Sequence, residues 1–206
     1  MSREKISSRI KTLRYIIQEL DKARLGVYVD TKKLEEKYSS LKLKEAPLTW
    51  DTILNSISAI QRIPTKSPKY SKLIRLNKLA NKTLMGGLVG LLVAVIVQLV
   101  GQSYEYYLLL MLVVLALTNI AYFLKMYVGH QLDKIYNENK EELEKHGKIL
   151  KKSIEYLLSR LREEYRKLGV KPSSICLKLK HADYNMLYVV QRPGILSGNY
   201  KLCFKK

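Results

Sequence analysis

The sequence predicts a mainly α-helical membrane protein: a two-helix transmembrane hairpin, long cytoplasmic helices forming a coiled-coil-like bundle, and a small C-terminal β-meander. Three observations carry that prediction. The first is where the charge lies. The 206 residues hold 37 Lys+Arg against 18 Asp+Glu, a net +19. Through Lys82 there are 19 basic and 8 acidic residues, and from Lys125 onward 18 and 9, yet between them Glu105 is the only charge. The second is a pair of apolar seams at coiled-coil spacing, one near each end of the chain. The third is a change of period from about 3.5 to 2 in the last 34 residues. The 47% hydrophobic content excludes a disordered chain, and two Cys are too few for a disulfide-stapled mini-fold.

The neutral gap divides into two 19-residue runs, TLMGGLVGLLVAVIVQLVG from Thr83 to Gly101 and YYLLLMLVVLALTNIAYFL from Tyr106 to Leu124. A helix needs roughly 20 apolar residues to cross the hydrocarbon core, so each run meets the minimum. A buried soluble hairpin is the alternative, but soluble core helices are rarely apolar on every face. The polar N-terminus is not followed by an apolar stretch, which argues against a cleaved signal peptide.

Orientation follows from the flanks. Gln102-Ser103-Tyr104-Glu105 holds no Lys or Arg. Lys69, Lys72, Arg75, Lys78 and Lys82 precede the first span, and Lys125 and Lys134 follow the second. The positive-inside rule places both termini in the cytoplasm, giving a two-span protein of the cytoplasmic membrane. The aromatic belts are Tyr104, Tyr106 and Tyr107 outside and Tyr122 and Tyr127 inside.

Polar and small residues within the spans suggest helix packing. Gly86, Gly90 and Ala94 form a small-xxx-small row that permits close backbone approach. At 1.5 Å per residue, Asn119 lies about 8 Å deep, level with the glycines, whereas Gln98 lies about 22 Å deep. Asn119 and Thr118 are therefore expected to bond beside the glycines and lock the hairpin. A polar lining for a transport pathway is the competing reading, and the lack of any ionisable group inside either span favours packing.

The first cytoplasmic segment, 1–66, opens with a helix from Ser2 to about Leu25, capped by Ser2 and stopped by Gly26. Its seam is Ile6, Ile10, Leu13, Ile17 and Leu20. Asp30 or Thr31 caps a second helix using Leu34, Tyr38 and Leu41. Thr49 starts a third, using Ile53, Ile57 and Ile60 and ended by Pro64. Segment 67–128 begins with Ser67-Pro68 as N-cap and first helical residue, and its helix runs into the membrane without a break. Segment 129–169 continues from the second span as one helix to Gly169, with Gly129 and Gly147 as weak points. Its distal seam is Leu150, Ile154, Leu157 and Leu161, continued by Tyr165 and Leu168. The two seams are expected to meet, within one chain or between chains. Segment 170–206 is β-rich, with strands near Ile175–Lys180, Met186–Val190 and Tyr200–Phe204. Asp183-Tyr184-Asn185, Pro193-Gly194 and Ser197-Gly198-Asn199 read as turns between them.

No enzyme is expected, and no cofactor. His130, His146 and His181 are far apart and lack ligand-spaced Cys or carboxylate neighbours. His146 reads as solvated. Cys176 and His181 fall on opposite faces of one strand, a poor nucleophile–base pair. Cys176 and Cys203 are expected to be reduced in a cytoplasmic setting, with a disulfide open to a hyperthermophilic source. The bias towards Lys, Ile, Leu and Tyr, with 15 Tyr to 2 Phe, hints at an archaeal, thermophilic proteome. Gly86-Gly87-Leu88-Val89-Gly90 lies inside an apolar span and is no phosphate loop.

The basic surplus points to partners. Lys69, Lys72, Arg75, Lys78 and Lys82 recur every three or four residues and wind around a helix, which suits anionic lipid headgroups better than a flat nucleic-acid footprint. Arg3, Lys5, Arg9, Lys11 and Arg14 lie farther from the membrane and leave an acidic protein, a nucleic acid or the ribosome as partner. Stacking aromatics are absent there, so nucleic acid is not favoured. The expected function is an integral anchor or scaffold that presents a basic helical bundle to a protein partner or a homo-oligomer. Alternatives are a membrane-tethered nucleic-acid or ribosome-binding protein, and an oligomeric cation channel. For the channel, the order coiled coil, span, acidic loop, span, coiled coil resembles the pore subunits of calcium uniporters and implies Glu105 at an outer mouth. The loop Gly101-Gln102-Ser103-Tyr104-Glu105-Tyr106 lacks the second acidic position, the Trp and the Pro of the uniporter motif.

Overall fold

In the computed structural model, residues 3–43, 46–101, 104–194 and 198–205 are described, and they form six α-helices, two short 3-10 turns and three strands. Ser2, Gln102, Ser103 and Ser197, to which the sequence assigns a cap, a loop and a turn, lie outside them. The chain divides into two compact units, Met1–Ile63 with Asn139–Lys206, and Pro64–Glu138.

The first unit is built on two amphipathic helices whose seams interlock. Helix α1 (Arg3–Ala23) buries Ile6, Ile10, Leu13, Ile17 and Leu20, joined by Ile16 and Ala23. Helix α6 (Lys140–Lys167) buries Leu150, Ile154, Leu157, Leu158 and Leu161. The two helices pack on each other within one chain. Helices α2 (Thr31–Ser40) and α3 (Trp50–Arg62) complete the bundle. Asp30 caps α2 by accepting from the Lys33 N–H at 3.2 Å, and Thr49 caps α3 by accepting from Thr52 at 3.3 Å. Leu34, Leu41, Ile53, Ile57 and Ile60 are wholly enclosed. Each buried aliphatic side chain contributes roughly 1.5–3 kcal/mol, so the shared core is what holds these short helices.

Gly26 and Gly169 end α1 and α6 in the same way. Each has φ 75°, a conformation that costs glycine nothing. The next residue then donates backward five positions: Val27 to Lys22 at 3.3 Å and Val170 to Tyr165 at 3.1 Å.

The strands are β1 (Cys176–Leu179), β2 (Leu187–Gln191) and β3 (Tyr200–Phe204), in the order β1-β3-β2 with both pairings antiparallel. This corrects the expected meander, because the last strand inserts between the first two. The reason lies in the side chains. Leu202, Cys203 and Phe204 are all buried, so β3 takes the centre, while β2 exposes four of its five residues and sits at an edge. The sheet rests on α1 through β1, whose Leu177 and Leu179 face inward.

A second correction concerns the cysteines. Cys176 and Cys203 are register partners on β1 and β3 and form a disulfide, not two thiols. Strand alternation places both on one face of the sheet, which the sequence separation of 27 hides.

The second unit is a helical hairpin of α4 (Tyr70–Leu99) and α5 (Tyr104–Glu138). Both helices are long and apolar enough to span a membrane. Helix α4 starts at Tyr70 rather than Pro68. Ser67 and Pro68 form a turn in which the Ser67 carbonyl accepts from Tyr70 N–H at 3.0 Å. Nor is α5 continuous with α6. The break falls at Asn139, at φ −112° and ψ 33°, and neither Gly129 nor Gly147 interrupts its helix. The polar run 137–142 has no apolar face whose burial would hold a helix through it, and Glu141 and Glu142 suit a new helix start.

Candidate functional site

The hairpin interface is set by a seven-residue repeat. The buried residues of α4 are Leu73, Ala80, Gly87 and Ala94, and those of α5 are Val114, Ala121, Val128 and Ile135. A strict heptad keeps one stripe of each helix against the other in a left-handed supercoil. Small residues at Ala80, Gly87, Ala94 and Ala121 bring the backbones close. A Cβ on Gly87 would stand 2.9 Å from Thr118 Cγ2, and one on Gly90 would stand 2.8 Å from Val114 Cγ2.

Of the residues expected to pack the hairpin, Gly90 and Ala94 lie at this seam. Gly86 does not: it is exposed, and a Cβ there meets nothing within 4 Å. Gly87 takes its place, because one residue rotates the helix by 100°. Asn119 is also turned outward, and its Nδ2 donates to the Leu115 carbonyl of its own helix at 2.8 Å. Thr118 touches Gly87 through its methyl group and sends its hydroxyl to Val114 and Leu115 carbonyls of the same helix.

Below the apolar stretch, Lys69, Lys72, Arg75, Lys78 and Lys82 are all exposed and together avoid the Leu73–Ala80 stripe. Residues 70–82 extend α4 about 20 Å past the first apolar run, so these cations circle a rod. The seam persists here, with Ile135 buried, and burial beside Tyr70 pushes the Tyr136 phenol up to about 12. At the opposite end Glu105 and Tyr104 are exposed, with the Tyr104 and Tyr107 rings 6.3 Å apart.

The first unit holds a polar clasp that joins α1, α6 and the loop after β1. Asp21 is 1% exposed. Its carboxylate accepts from the Lys180 backbone N–H, from His181 Nδ1 at 2.9 Å and from the Tyr184 hydroxyl at 2.5 Å. Arg24, one turn on, grips Asp183 with two N–H groups at 2.9 and 2.8 Å and donates to Tyr184 Oη at 2.8 Å. Lys151 of α6 reaches Asp183 at 3.3 Å. The Arg24 hydrogen bonds hold the Asp183 carboxyl well below the usual carboxylate range. Burial, reinforced by the Asp21 charge, pushes the Tyr184 phenol far up, so it stays a donor.

An Asp–His pair orients a general base in hydrolases, but that chemistry needs a nucleophile on the other ring nitrogen. Among the described residues no hydroxyl or thiol is hydrogen-bonded to His181, and no group of three His, Cys, Asp or Glu is placed to hold a metal ion. His181 follows β1 instead of sharing a strand with Cys176. His146 is half-buried with Nδ1 enclosed, not solvated.

Comparison with protein-family models, with curated proteins and with solved structures finds no match.

Sequence reasoning missed Asp21 and Glu164, and periodicity could have found both. Asp21 follows Ile17 by four, and Glu164 follows Leu161 by three and Leu157 by seven, so each falls on a buried stripe. An acid there must be met by donors. Glu164 Oε1 accepts from Lys167 Nζ at 3.0 Å and pairs with the Arg9 charge at 3.5 Å, while its Oε2 is enclosed without a hydrogen bond.

Proposed function

We propose that this protein is an integral membrane anchor with both termini in the cytoplasm, presenting its basic helical unit to a protein partner at the membrane surface. One observation carries the reading: only 11% of the most apolar 18-residue window of each hairpin helix is buried. A soluble core helix hides such a surface, whereas Leu92, Leu109 and Leu112 are each more than 60% exposed. Lipid is the solvent those side chains fit. The exposed cations on α4 support headgroup contact at about 1 kcal/mol each.

The orientation rests on those same flanks. The Cys176–Cys203 disulfide weighs the other way, because mesophilic cytosol keeps thiols reduced. Hyperthermophiles are the exception, and Cys203 is only 3% exposed to reductants. The flank asymmetry is the stronger signal.

Affinity recovery from gently solubilised membranes tests the proposal. A co-purifying protein whose binding is lost when the exposed Arg3 and Lys11 are reversed to Glu is the expected result. Repeated recovery of this chain without another protein would reject the scaffold role.

A further inference from the structure

The outward position of Asn119 leads to an inference that rests on the membrane reading above. Asn119 is exposed on α5, two residues before the buried Ala121, which turns it about 160° away from α4. Its depth is about 8 Å inside the inner end of the span, beyond the reach of so short a side chain to the headgroups. One N–H is satisfied by the Leu115 carbonyl. The second N–H and the carboxamide oxygen make no hydrogen bond among the described residues. In hydrocarbon, where water is absent, a polar group left in that state is strongly disfavoured.

We propose that Asn119 pairs with Asn119 of a second copy, making the protein a parallel homodimer about an axis along the membrane normal. Two features select a second copy as the occupant. A carboxamide is self-complementary, donor and acceptor at once, and only a symmetric parallel pair brings the same residue to the same depth on both sides. The residues around it also repeat with the spacing of a helix–helix seam: Leu112, Ala116, Asn119, Phe123 and Met126, at steps of 4, 3, 4 and 3, all exposed. This stripe lies opposite the one that α5 uses for α4, so both contacts form at once. Ala116, one turn from Asn119, allows close approach. An Asn at such a position fixes register and oligomeric state.

The test uses the full chain in lipid vesicles, labelled for energy transfer between copies and diluted with lipid. Wild type is expected to dimerise, Asn119→Leu to weaken the dimer about 5- to 30-fold, the equivalent of one interhelical hydrogen bond of about 1–2 kcal/mol, and Asn119→Gln to restore part of it. Oxidative cross-linking of Asn119→Cys should outpace that of Ile120→Cys, which points 100° away. Dimers indifferent to Asn119→Leu, equal cross-linking at both positions, or an inserted monomer at every lipid ratio would overturn the proposal. Association with a different membrane protein through this face would overturn it as well. Alkaline extraction separates the two readings: a chain released from membranes sinks the anchor itself, whereas a retained monomer sinks only the dimer.

Discussion

Replacing Asp21 by Ala should cost the first unit about 3–4 kcal/mol without touching the hairpin. The carboxylate is 1% exposed and meets three donors, from Lys180, His181 and Tyr184. Truncation leaves the Tyr184 hydroxyl, itself 2% exposed, without its acceptor, and frees the backbone N–H of Lys180. Each buried donor left unpaired costs about 1–3 kcal/mol. His181, part-exposed, recovers its bond from water and adds little. Arg24 still donates to Tyr184 and Asp183, which keeps the loss below the sum of the maxima. Trp50, the only Trp in the chain, begins α3 with its ring 5.0 Å from Tyr38, and so reports unfolding of this unit alone. In a urea titration of the detergent-solubilised protein, a slope of about 2 kcal/mol per molar converts the loss into a midpoint about 1.5–2 M lower. Asp21→Asn, which keeps one acceptor but offers an amide to the remaining donors, should fall between. A midpoint within about 0.3 M of wild type for Asp21→Ala would refute the clasp as a stabilising element.

Reduction of the disulfide, or Cys176→Ser, should lower the stability of the same unit by about 3.5 kcal/mol, the loop-closure entropy of a 27-residue separation; urea unfolding with and without reductant reads it. Acid should weaken the unit through Asp183, whose native carboxyl lies below its unfolded value near 4. That stabilisation is present above about pH 4 and is lost as pH falls through the native value; Asp183→Asn should flatten this limb of a pH–stability profile measured by Trp50 fluorescence. In the hairpin, Gly87→Val should lower the thermal midpoint in detergent, followed by circular dichroism, because its Cβ meets the stiff methyl of Thr118 at 2.9 Å. Gly86→Val, with open space around it, should leave that midpoint unchanged.

How far the sequence reached depended on whether a feature was local. The hole in the charge pattern marks the hairpin, because a run of apolar residues needs no partner to be recognised. Ile6 to Leu20 and Leu150 to Leu161 name their own buried faces through spacing, and Asp30, Thr49, Gly26 and Gly169 mark helix ends through backbone chemistry that spans a few residues. The packing of the hairpin lay one step further away. A small-residue row beginning at Gly86 and one beginning at Gly87 read alike along the chain, and only the heptad shared by Leu73, Ala80, Gly87 and Ala94 with the facing helix chooses between them.

The sequence by itself determined the mainly helical class, the two helices apolar enough to span a membrane and the residues of the two helical seams, since period and charge are properties of single segments. Tertiary structure decided what depends on pairing over distance: that β3 lies between β1 and β2, that Cys176 meets Cys203, and that Asp21 finds three donors in a loop about 160 positions away. It also decided that Asn119 turns away from its own hairpin. Each of these is fixed by which surfaces remain to be buried once the local elements exist, and no segment read alone contains that information.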